Sequence, residues 1–165
     1  MIPAANINFP SAGLRSGEVE KLNVADLDLA QRTLLVNGKG NKKRYVPIGT
    51  EAQKSLQQYL SVGRPKMRAA GSQALFLSSS RGRMDIQSLR RYYRQYAQKA
   101  GITKPVDLHG LRHTCATHML QNGADIRYIQ TLLGHGSLTS TQIYTRVEPT
   151  DLKKVLDDCH PRDKF

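Results

Sequence analysis

Residues 33–49, TLLVNGKGNKKRYVPIG, constrain the fold more than any other stretch of this chain. Two runs rich in branched and aromatic residues flank a segment that contains Asn37-Gly38 and Gly40-Asn41. Asparagine–glycine pairs favour the tight turns that join antiparallel strands, so the stretch predicts a β-hairpin. Four cationic side chains lie at or near the predicted turn: Lys39, Lys42, Lys43 and Arg44.

The rest of the chain shows helical periodicity. Apolar residues recur every three or four positions in the stretches 50–62, 86–100, 108–122, 125–133 and 149–159. Thr50 and Asp85 stand at the starts of the first two stretches and are predicted N-caps, and Ser16 is the predicted N-cap of a short helix near the N-terminus. We therefore expect an α+β, mainly helical fold with a small antiparallel sheet near the N-terminus.

Net charge indicates the class of partner. Twenty-five Lys and Arg against thirteen Asp and Glu give +12 and an isoelectric point near 10.0. A field of this sign attracts polyanions, of which nucleic acid is the commonest, although a basic surface can also serve solubility alone. Positions 81–104 hold seven cationic residues and one acid, which favours DNA contact over a merely solvated face. The predicted DNA-binding residues are Lys42, Lys43, Arg44, Arg81, Arg83, Arg90, Arg91 and Arg94.

Length and cysteine content suit a small intracellular domain. A chain of 165 residues can bury one real core. No run approaches the length of a membrane span, and the first residues lack the pattern of a secretion signal. Two cysteines, Cys115 and Cys159, are too few for a disulfide framework and suit a reducing compartment. We therefore expect a cytoplasmic protein.

The stretch LHGLRHTCATHML, residues 108–120, concentrates polar groups on a predicted helix. His109 and His113 have the spacing of zinc-binding helices, but no acid stands between them and no second ligand cluster follows. Arg112 would also oppose a cation. A phosphate fits better, because a guanidinium offers a planar fork of donors and His109 lies one turn earlier. An H-x-x-R pair is usually structural, so this assignment depends on its companions elsewhere in the chain.

Three stretches that carry such companions occur in order and at suitable spacing: AGLRSGEVEKL, GKGNKKRYVPI and LHGLRHTCATHMLQNGADIRYIQTLLGHGSLTSTQIYTRV. Together they resemble the catalytic domain of the tyrosine site-specific recombinases, the Xer-type recombinases and the phage- or integron-type integrases. The resemblance covers roughly residues 11–150, and it implies a helical catalytic domain whose small antiparallel sheet near the N-terminus has three strands. It implies that DNA strands are cut and rejoined through a 3′-phosphotyrosyl intermediate, with no metal, ATP or other cofactor, in a protein encoded by a bacterium, phage or mobile element.

The resemblance implies catalytic roles at the matching positions, which are Arg15, Lys39, His109, Arg112, His135 and Tyr144. Lys42 and Lys43 are rivals of Lys39, and only the GKGN pattern decides between them. The TQIYT context singles out Tyr144 from the six other tyrosines. Four further residues are expected to have structural roles: His113 is expected to support the core, and His118, Cys115 and Cys159 are expected to be packing residues.

The chemistry explains why these residue types are needed. A free tyrosine has a pKa near 10, so only about one part in a thousand is phenolate at neutral pH. Tyr144 therefore needs a proton acceptor or a strongly positive site. The five-coordinate transition state gathers negative charge on its non-bridging oxygens, which Arg15, Arg112 and His135 would stabilise. Lys39 is the candidate acid for the leaving 5′-oxygen, with a pKa lowered by neighbouring cations.

The resemblance also sets expectations for domains and partners. Family members carry a separate helical domain that grips DNA, whereas here only residues 1–12 precede Gly13. We expect an irregular segment over 1–12 and a catalytic domain over 13–165, without that core-binding domain and with weak activity. The C-terminal helix is expected to dock into a neighbouring protomer of a tetramer on double-stranded DNA, from a monomer free in solution, with packing in cis as the alternative.

Two alternative functions stay open at this point. One is a DNA-binding fragment that keeps the fold and lacks activity. The other is a type IB topoisomerase-like nicking and closing enzyme, which shares the chemistry. All six catalytic positions carry the expected residue. This disfavours the first alternative, because genetic drift in an inactive protein would have substituted at least one of them.

Overall fold

The computed structural model describes residues 13–38, 43–67, 71–79, 82–104, 107–133 and 149–160, and these contain seven helices and three strands. The helices are α1 Ser16–Lys21, α2 Thr50–Gln58, α3 Arg64–Lys66, α4 Ile86–Lys99, α5 Leu108–Gln121, α6 Ile126–Leu133 and α7 Pro149–Cys159. The strands are β1 Leu27–Asp28, β2 Thr33–Asn37 and β3 Lys43–Pro47. A 3₁₀ turn, Val24–Asp26, precedes β1, and a π-helical turn, Tyr59–Gly63, joins α2 to α3.

The strands form one antiparallel sheet in the order β1-β2-β3. The β2–β3 ladder runs from Thr33 opposite Pro47 to Asn37 opposite Lys43, which confirms the predicted hairpin. Leu34 and Val36 are buried, while the residues between and after them are more exposed, as a half-buried strand requires. The expected mainly helical fold with a three-stranded antiparallel sheet is confirmed.

The three predicted N-caps have different outcomes. The Ser16 prediction is wrong, because Arg15 occupies the cap position of α1 and Ser16 is the first helical residue. Asp85 caps α4, because its carboxylate accepts a hydrogen bond of 2.6 Å from the Ser88 amide. The Thr50 prediction is wrong: Gly49 occupies the cap position, and Thr50 is the first helical residue. The Thr50 hydroxyl instead accepts from Arg32 at 2.9 Å and donates to Asp157 at 3.1 Å. The Thr50 hydroxyl therefore belongs to a tertiary network with Arg32 and Asp157 and does not cap the helix, as its position in the sequence had suggested.

The core lies between the sheet and the helices. Wholly buried side chains come from β2, from α2 and its π turn, from the segment after α3, and from α5 and α7; they include Leu34, Val36, Leu56, Tyr59, Leu75, Met119 and Leu156. Helix α7 packs against β3, α5 and α6 of the same chain, with Leu152 and Leu156 buried. Within the described ranges, no helix is long and apolar enough to cross a lipid bilayer.

Arg32 fastens α7 to the sheet. It lies in the turn between β1 and β2 with φ +50°, a left-handed conformation that is uncommon for a residue with a side chain. Its two terminal nitrogens donate to the two carboxylate oxygens of Asp157 on α7, at 2.8 and 2.9 Å. A planar bidentate ion pair of this kind, here called a two-point pair, fixes the orientation of the two groups as well as their distance. The C-terminal helix is thus held in cis by both apolar burial and one ion pair.

Candidate active site

Helix α5 presents one buried face, and Arg112 lies on it. Leu108, Cys115 and Met119 share this face, and Arg112 is only 6% exposed. Positions 108, 112, 115 and 119 recur at helical spacing, so a guanidinium occupies a position where an apolar side chain would be expected. Because Arg112 takes part in the inner face of the helix, its charge must be satisfied by specific partners.

Two predictions for side chains on helix α5 are wrong. His113 was expected to support the core and His118 to pack within the protein, yet both are exposed. Helical geometry gives the reason, since position 113 lies well over a quarter-turn from the buried face and position 118 lies at its edge. Cys115 and Cys159 are buried, as predicted for packing residues. Burial raises the pKa of the Cys115 thiol to about 12, so this group stays protonated and unreactive.

The Arg112 guanidinium joins two distant segments through their backbone. One terminal nitrogen donates to the carbonyl of Gly13 and the other to the carbonyl of Leu133. Gly13 lies two residues before Arg15, and Leu133 is the last residue of α6, two positions before His135 in the sequence. Arg112 therefore holds together the turn before one predicted catalytic residue and the helix end before another.

Gly13 permits this close approach. Its φ is +72°, and a Cβ placed on it would lie 2.6 Å from the backbone oxygen of Leu132. Real Cβ atoms do not come this close to a backbone oxygen, and a left-handed φ adds strain for any other residue. A glycine at this position lets the turn that carries Arg15 pack directly on the end of α6.

Arg15, His109 and Arg112 border the same cavity. Its volume is about 290 Å³, and its lining residues are Leu14, Arg15, Ser16, Leu108, His109 and Arg112. Arg15 occupies the N-cap position of α1, and its side chain is 48% exposed. His109 is exposed on the first turn of α5. The N-terminal ends of α1 and α5 therefore meet at a cavity with two guanidinium groups and one imidazole, an arrangement suited to an anion.

Glu18 is the buried counter-charge of this region, and the sequence reasoning missed it. Its side chain is 7% exposed, and it accepts from the Arg15 amide at 2.8 Å, which is the one capping contact that an acid at the third helical position can supply to α1. The Arg15 guanidinium also contacts it at 3.3 Å. Arg44 on β3 contributes two donors, at 2.8 and 3.0 Å. The available signal was an acid three positions after Arg15 in a strongly basic chain, a spacing typical of a capping box.

Charge and burial act on these groups together. Burial raises the pKa of Glu18, but the hydrogen bonds and charges of Arg44 and Arg15 outweigh it and hold that pKa below its ordinary value. Burial lowers the pKa of Arg112, the positive charges of Arg15 and Arg44 lower it further, and Glu18 opposes them. Arginine has so high an intrinsic pKa that Arg112 remains charged at neutral pH. The cavity therefore keeps a net positive field.

The predicted DNA-binding residues fall into two groups where the structure describes them. Arg44 is engaged by Glu18, and Arg83 donates to the carbonyls of Glu20 and Leu22 at 2.8 and 2.9 Å. Lys43 and the arginines of α4 are exposed; the latter are Arg90, Arg91 and Arg94. These three arginines border an open groove of about 610 Å³ together with glutamine side chains. Their DNA-binding role stays a prediction.

Several predicted site residues lie outside the described residues: Lys39, Lys42, Arg81, His135 and Tyr144. The structure therefore brings together three of the six predicted catalytic residues, Arg15, His109 and Arg112. In the part of the chain that the structure describes, no three His, Cys, Asp or Glu side chains are grouped closely enough to hold a metal ion.

Comparison with known proteins identifies the family. Residues 9–151 match the phage integrase family, and this chain belongs to it. Tyrosine recombinase XerD from Mycobacterium tuberculosis (strain CDC 1551 / Oshkosh) is 45% identical over 154 residues, which cover 92% of this chain and 50% of that protein. The chain thus spans about half the length of this curated relative. The resemblance inferred from the sequence motifs is confirmed.

Solved structures agree with the fold. The crystal structure of XerA recombinase has a TM-score of 0.73 at 40% identity, with 96% of this chain and 58% of that chain covered. XerH site-specific recombinase, bound to its difH substrate in a pre-cleavage complex, has a TM-score of 0.67 at 26% identity, with 93% and 44% covered. The arrangement of sheet and helices described above is that of a tyrosine recombinase catalytic domain.

Proposed function

We propose that this chain is the catalytic domain of a site-specific DNA recombinase that cuts and rejoins strands through a 3′-phosphotyrosyl intermediate. The observation that carries the proposal is the cavity at which Arg15, His109 and Arg112 meet. Two guanidinium groups placed at one opening match the non-bridging oxygens of a phosphodiester. The family membership supports the same assignment and favours it over the alternatives.

The proposed reaction is a pair of transesterifications. The Tyr144 phenol loses its proton to a base, for which His109 is the candidate, and its oxygen bonds to the scissile phosphorus as the bond to the 5′-oxygen breaks. Lys39 gives that oxygen a proton. A 5′-hydroxyl of the partner strand then reverses the sequence. Each step exchanges one phosphodiester for another, so neither ATP nor a metal is needed. The roles of Lys39, His135 and Tyr144 rest on the motif match.

Arg112 has a particular place in this scheme. Its contacts with the carbonyls of Gly13 and Leu133 use two of the five N–H groups of a guanidinium. The backbone thus orients the group before substrate arrives, and such preorganised charge stabilises a transition state with little reorganisation. We propose that Arg112 both binds the phosphate and holds the flanking segments at the cavity.

We propose that double-stranded DNA is the partner and that α4 contributes to the interface. Its exposed face combines Arg90, Arg91 and Arg94 with three glutamines, Gln87, Gln95 and Gln98. Arginines neutralise phosphates, while arginine and glutamine are also the side chains that read guanine and adenine edges. Arg90→Gln should lower the slope of log affinity against log salt by about 0.9, because one counterion release is lost.

We also propose that the free chain is a cytoplasmic monomer in which α7 packs in cis, and that it forms a tetramer on DNA in which α7 is exchanged between neighbouring protomers. The support is the resemblance of residues 149–159 to the family segment that docks in trans. Light scattering on the free chain and on its DNA complex tests the assembly. A complex that never exceeds two protomers on a single duplex, even with DNA and protein at high concentration, would contradict it.

The decisive experiment is covalent capture. The chain selects a binding site from a randomised duplex pool, and that site is rebuilt with a nick so that cleavage releases a short strand and cannot reverse. We expect a denaturation-resistant adduct that Tyr144→Phe abolishes. Tyr45→Phe is the matched control, since Tyr45 lies on strand β3 of the hairpin, is 67% exposed and has no proposed role. Chelators should leave the adduct intact.

The same assay separates the alternatives. DNA binding that falls with salt, without any adduct, would indicate an inactive DNA-binding fragment. Relaxation of supercoiled plasmid without strand exchange would indicate a topoisomerase-like nicking and closing enzyme. An adduct that persists in the Tyr144→Phe variant would show that the nucleophile has been assigned wrongly.

A further inference from the structure

We infer that Arg44 is a positioning residue of the phosphate cavity, which acts on Arg15 through Glu18 and does not contact DNA. The catalytic part of this inference rests on the proposed function. The observation behind it is that one buried carboxylate receives donors from two arginines, one at the cavity and one on the hairpin. Charge alone had placed Arg44 with the DNA-binding residues.

The contacts of Glu18 are unequal. Arg44 makes the two short side-chain contacts, 2.8 Å to one carboxylate oxygen and 3.0 Å to the other. Arg15 makes a single side-chain contact of 3.3 Å, and its amide takes the second oxygen at 2.8 Å. Both oxygens therefore have two donors. Arg44 has the planar two-point geometry, and Arg15 has the weaker one-point geometry.

This inequality amounts to a competition for the carboxylate. A buried carboxylate next to an arginine favours a two-point pair, which would turn the Arg15 guanidinium toward Glu18. Arg44 already makes the two-point pair with Glu18, so the Arg15 guanidinium cannot form one and stays turned toward the cavity. The Arg15 side chain accordingly remains 48% exposed at the cavity, whereas Arg44 is 24% exposed. Arg44 thus sets where the Arg15 guanidinium lies without touching the anion.

Arg44 also matters through charge. Three guanidinium groups and one carboxylate share this region, and Arg44 is close enough to Arg112 to lower the pKa of that residue. Without Arg44, the single negative charge of Glu18 would offset half of the positive charge left by Arg15 and Arg112. A charge effect and a positioning effect both predict weaker anion binding, so they must be separated by a variant that keeps the charge.

The same ion pair connects the hairpin to the cavity. Arg44 lies on β3 opposite Val36 of β2, while Glu18 lies on α1, which begins directly after Arg15. An arginine–carboxylate contact between these elements fixes the turn end of the β2–β3 ladder relative to the phosphate cavity. Lys39, the predicted acid, follows Val36 by three positions on this hairpin.

The test combines three readouts on Arg44→Gln, Arg44→Lys and Glu18→Gln. The first is binding of inorganic phosphate, followed by the amide NMR signals of Ser16 and His109, which border the cavity. The second is the rate of adduct formation on the nicked duplex, and the third is the salt slope of DNA binding. Arg90→Gln is the matched DNA-contact control. Arg32→Gln, which breaks a two-point pair away from the cavity, is the control for stability and phosphate binding.

We expect Arg44→Gln to weaken phosphate binding severalfold and to slow adduct formation roughly 100-fold, because small misplacements of a binding group have effects of that size. The slope of log DNA affinity against log salt should be the same for Arg44→Gln as for the unchanged chain. Arg44→Lys should recover only part of the rate, since an ammonium keeps the charge without the planar fork. Glu18→Gln removes the charge that would draw Arg15 in, so it should not weaken phosphate binding, and the double variant Arg44→Gln/Glu18→Gln should recover most of the phosphate binding lost in Arg44→Gln. The double variant leaves no unpaired buried carboxylate, so it provides a second test if Arg44→Gln fails to fold.

Three results would overturn the inference. A fall in the salt slope like that of Arg90→Gln would make Arg44 a DNA contact. Full recovery by Arg44→Lys would reduce its role to charge. Phosphate binding and adduct rate both unchanged in Arg44→Gln, or neither detectable in the unchanged chain, would remove the role altogether. If the unchanged chain forms no adduct but Arg44→Gln weakens phosphate binding, the proposed reaction fails and the positioning role stands.

Discussion

Two arginine–carboxylate pairs in this molecule have nearly the same geometry and different surroundings. Arg44 contacts both oxygens of Glu18 at 2.8 and 3.0 Å, and Arg32 contacts both oxygens of Asp157 at 2.8 and 2.9 Å. The arginines are about equally exposed, at 24% and 23%. The carboxylates differ: Glu18 is 7% exposed and Asp157 34%.

That difference decides what each pair can do. Water can solvate Asp157 when Arg32 is absent, so this pair adds to the attachment of α7 without being essential to it. Glu18 has little access to water, and its donors must come from the protein. A buried carboxylate with four donors also organises those donors around itself. The first pair thus organises a site, and the second fastens an element of the fold.

Truncating the two carboxylates gives the largest contrast. Glu18→Ala should lower the free energy of unfolding by about 3 kcal/mol, because it leaves partly buried arginines without their counter-charge and removes the acceptor of the Arg15 amide at the start of α1. Asp157→Ala should cost about 1 kcal/mol, as expected for a partly exposed pair. Urea unfolding followed by circular dichroism measures both values. Equal losses in the two variants would show that carboxylate burial does not control the strength of these pairs.

The sequence predicted well those features that depend on local chemistry. The hairpin follows from Asn37-Gly38 between strand-forming runs, and the cap of α4 follows from Asp85 next to an amphipathic segment. The motif match placed Arg15, His109 and Arg112 in one site, and the structure brings these three residues to one cavity. In each case, the information lies within a few residues or in a recognisable pattern.

The features that could not be predicted depend on tertiary partners. Nothing near Arg112 in the sequence indicates that its donors reach carbonyls at Gly13 and Leu133, which are 99 and 21 positions away. Arg44 was grouped with surface cations because Glu18 lies 26 positions from it. The Thr50 hydroxyl was similarly diverted by Arg32 and Asp157. Composition counts charges, but it does not show which of them face each other.

Gly13→Ala disturbs the cavity without touching either ion pair, so it separates backbone packing from charge. The new Cβ would lie 2.6 Å from the Leu132 oxygen at a φ of +72°. We expect a loss of about 2 kcal/mol in unfolding free energy from the left-handed strain and the displaced contact. Gly101→Ala is the matched control, since its φ is also +72° but a Cβ there meets nothing within 4 Å. A larger loss in Gly101→Ala would contradict the packing argument.

Acid provides the mildest test of the comparison, because protonation neutralises Glu18 without removing its side chain. The folded-state pKa of Glu18 lies below its ordinary value: burial alone would raise it, but the donors from Arg44 and Arg15 prevail. A lowered folded-state pKa stabilises the protein fully above the unfolded-state value of about 4.3, and this contribution disappears as the pH falls through the folded-state value. The stability difference between the unchanged chain and Glu18→Gln should therefore be constant from neutral pH to about pH 5 and shrink below that. Urea unfolding of both proteins across this range measures it, and a difference that grows in acid would show that the Glu18 carboxylate is not held in its charged form.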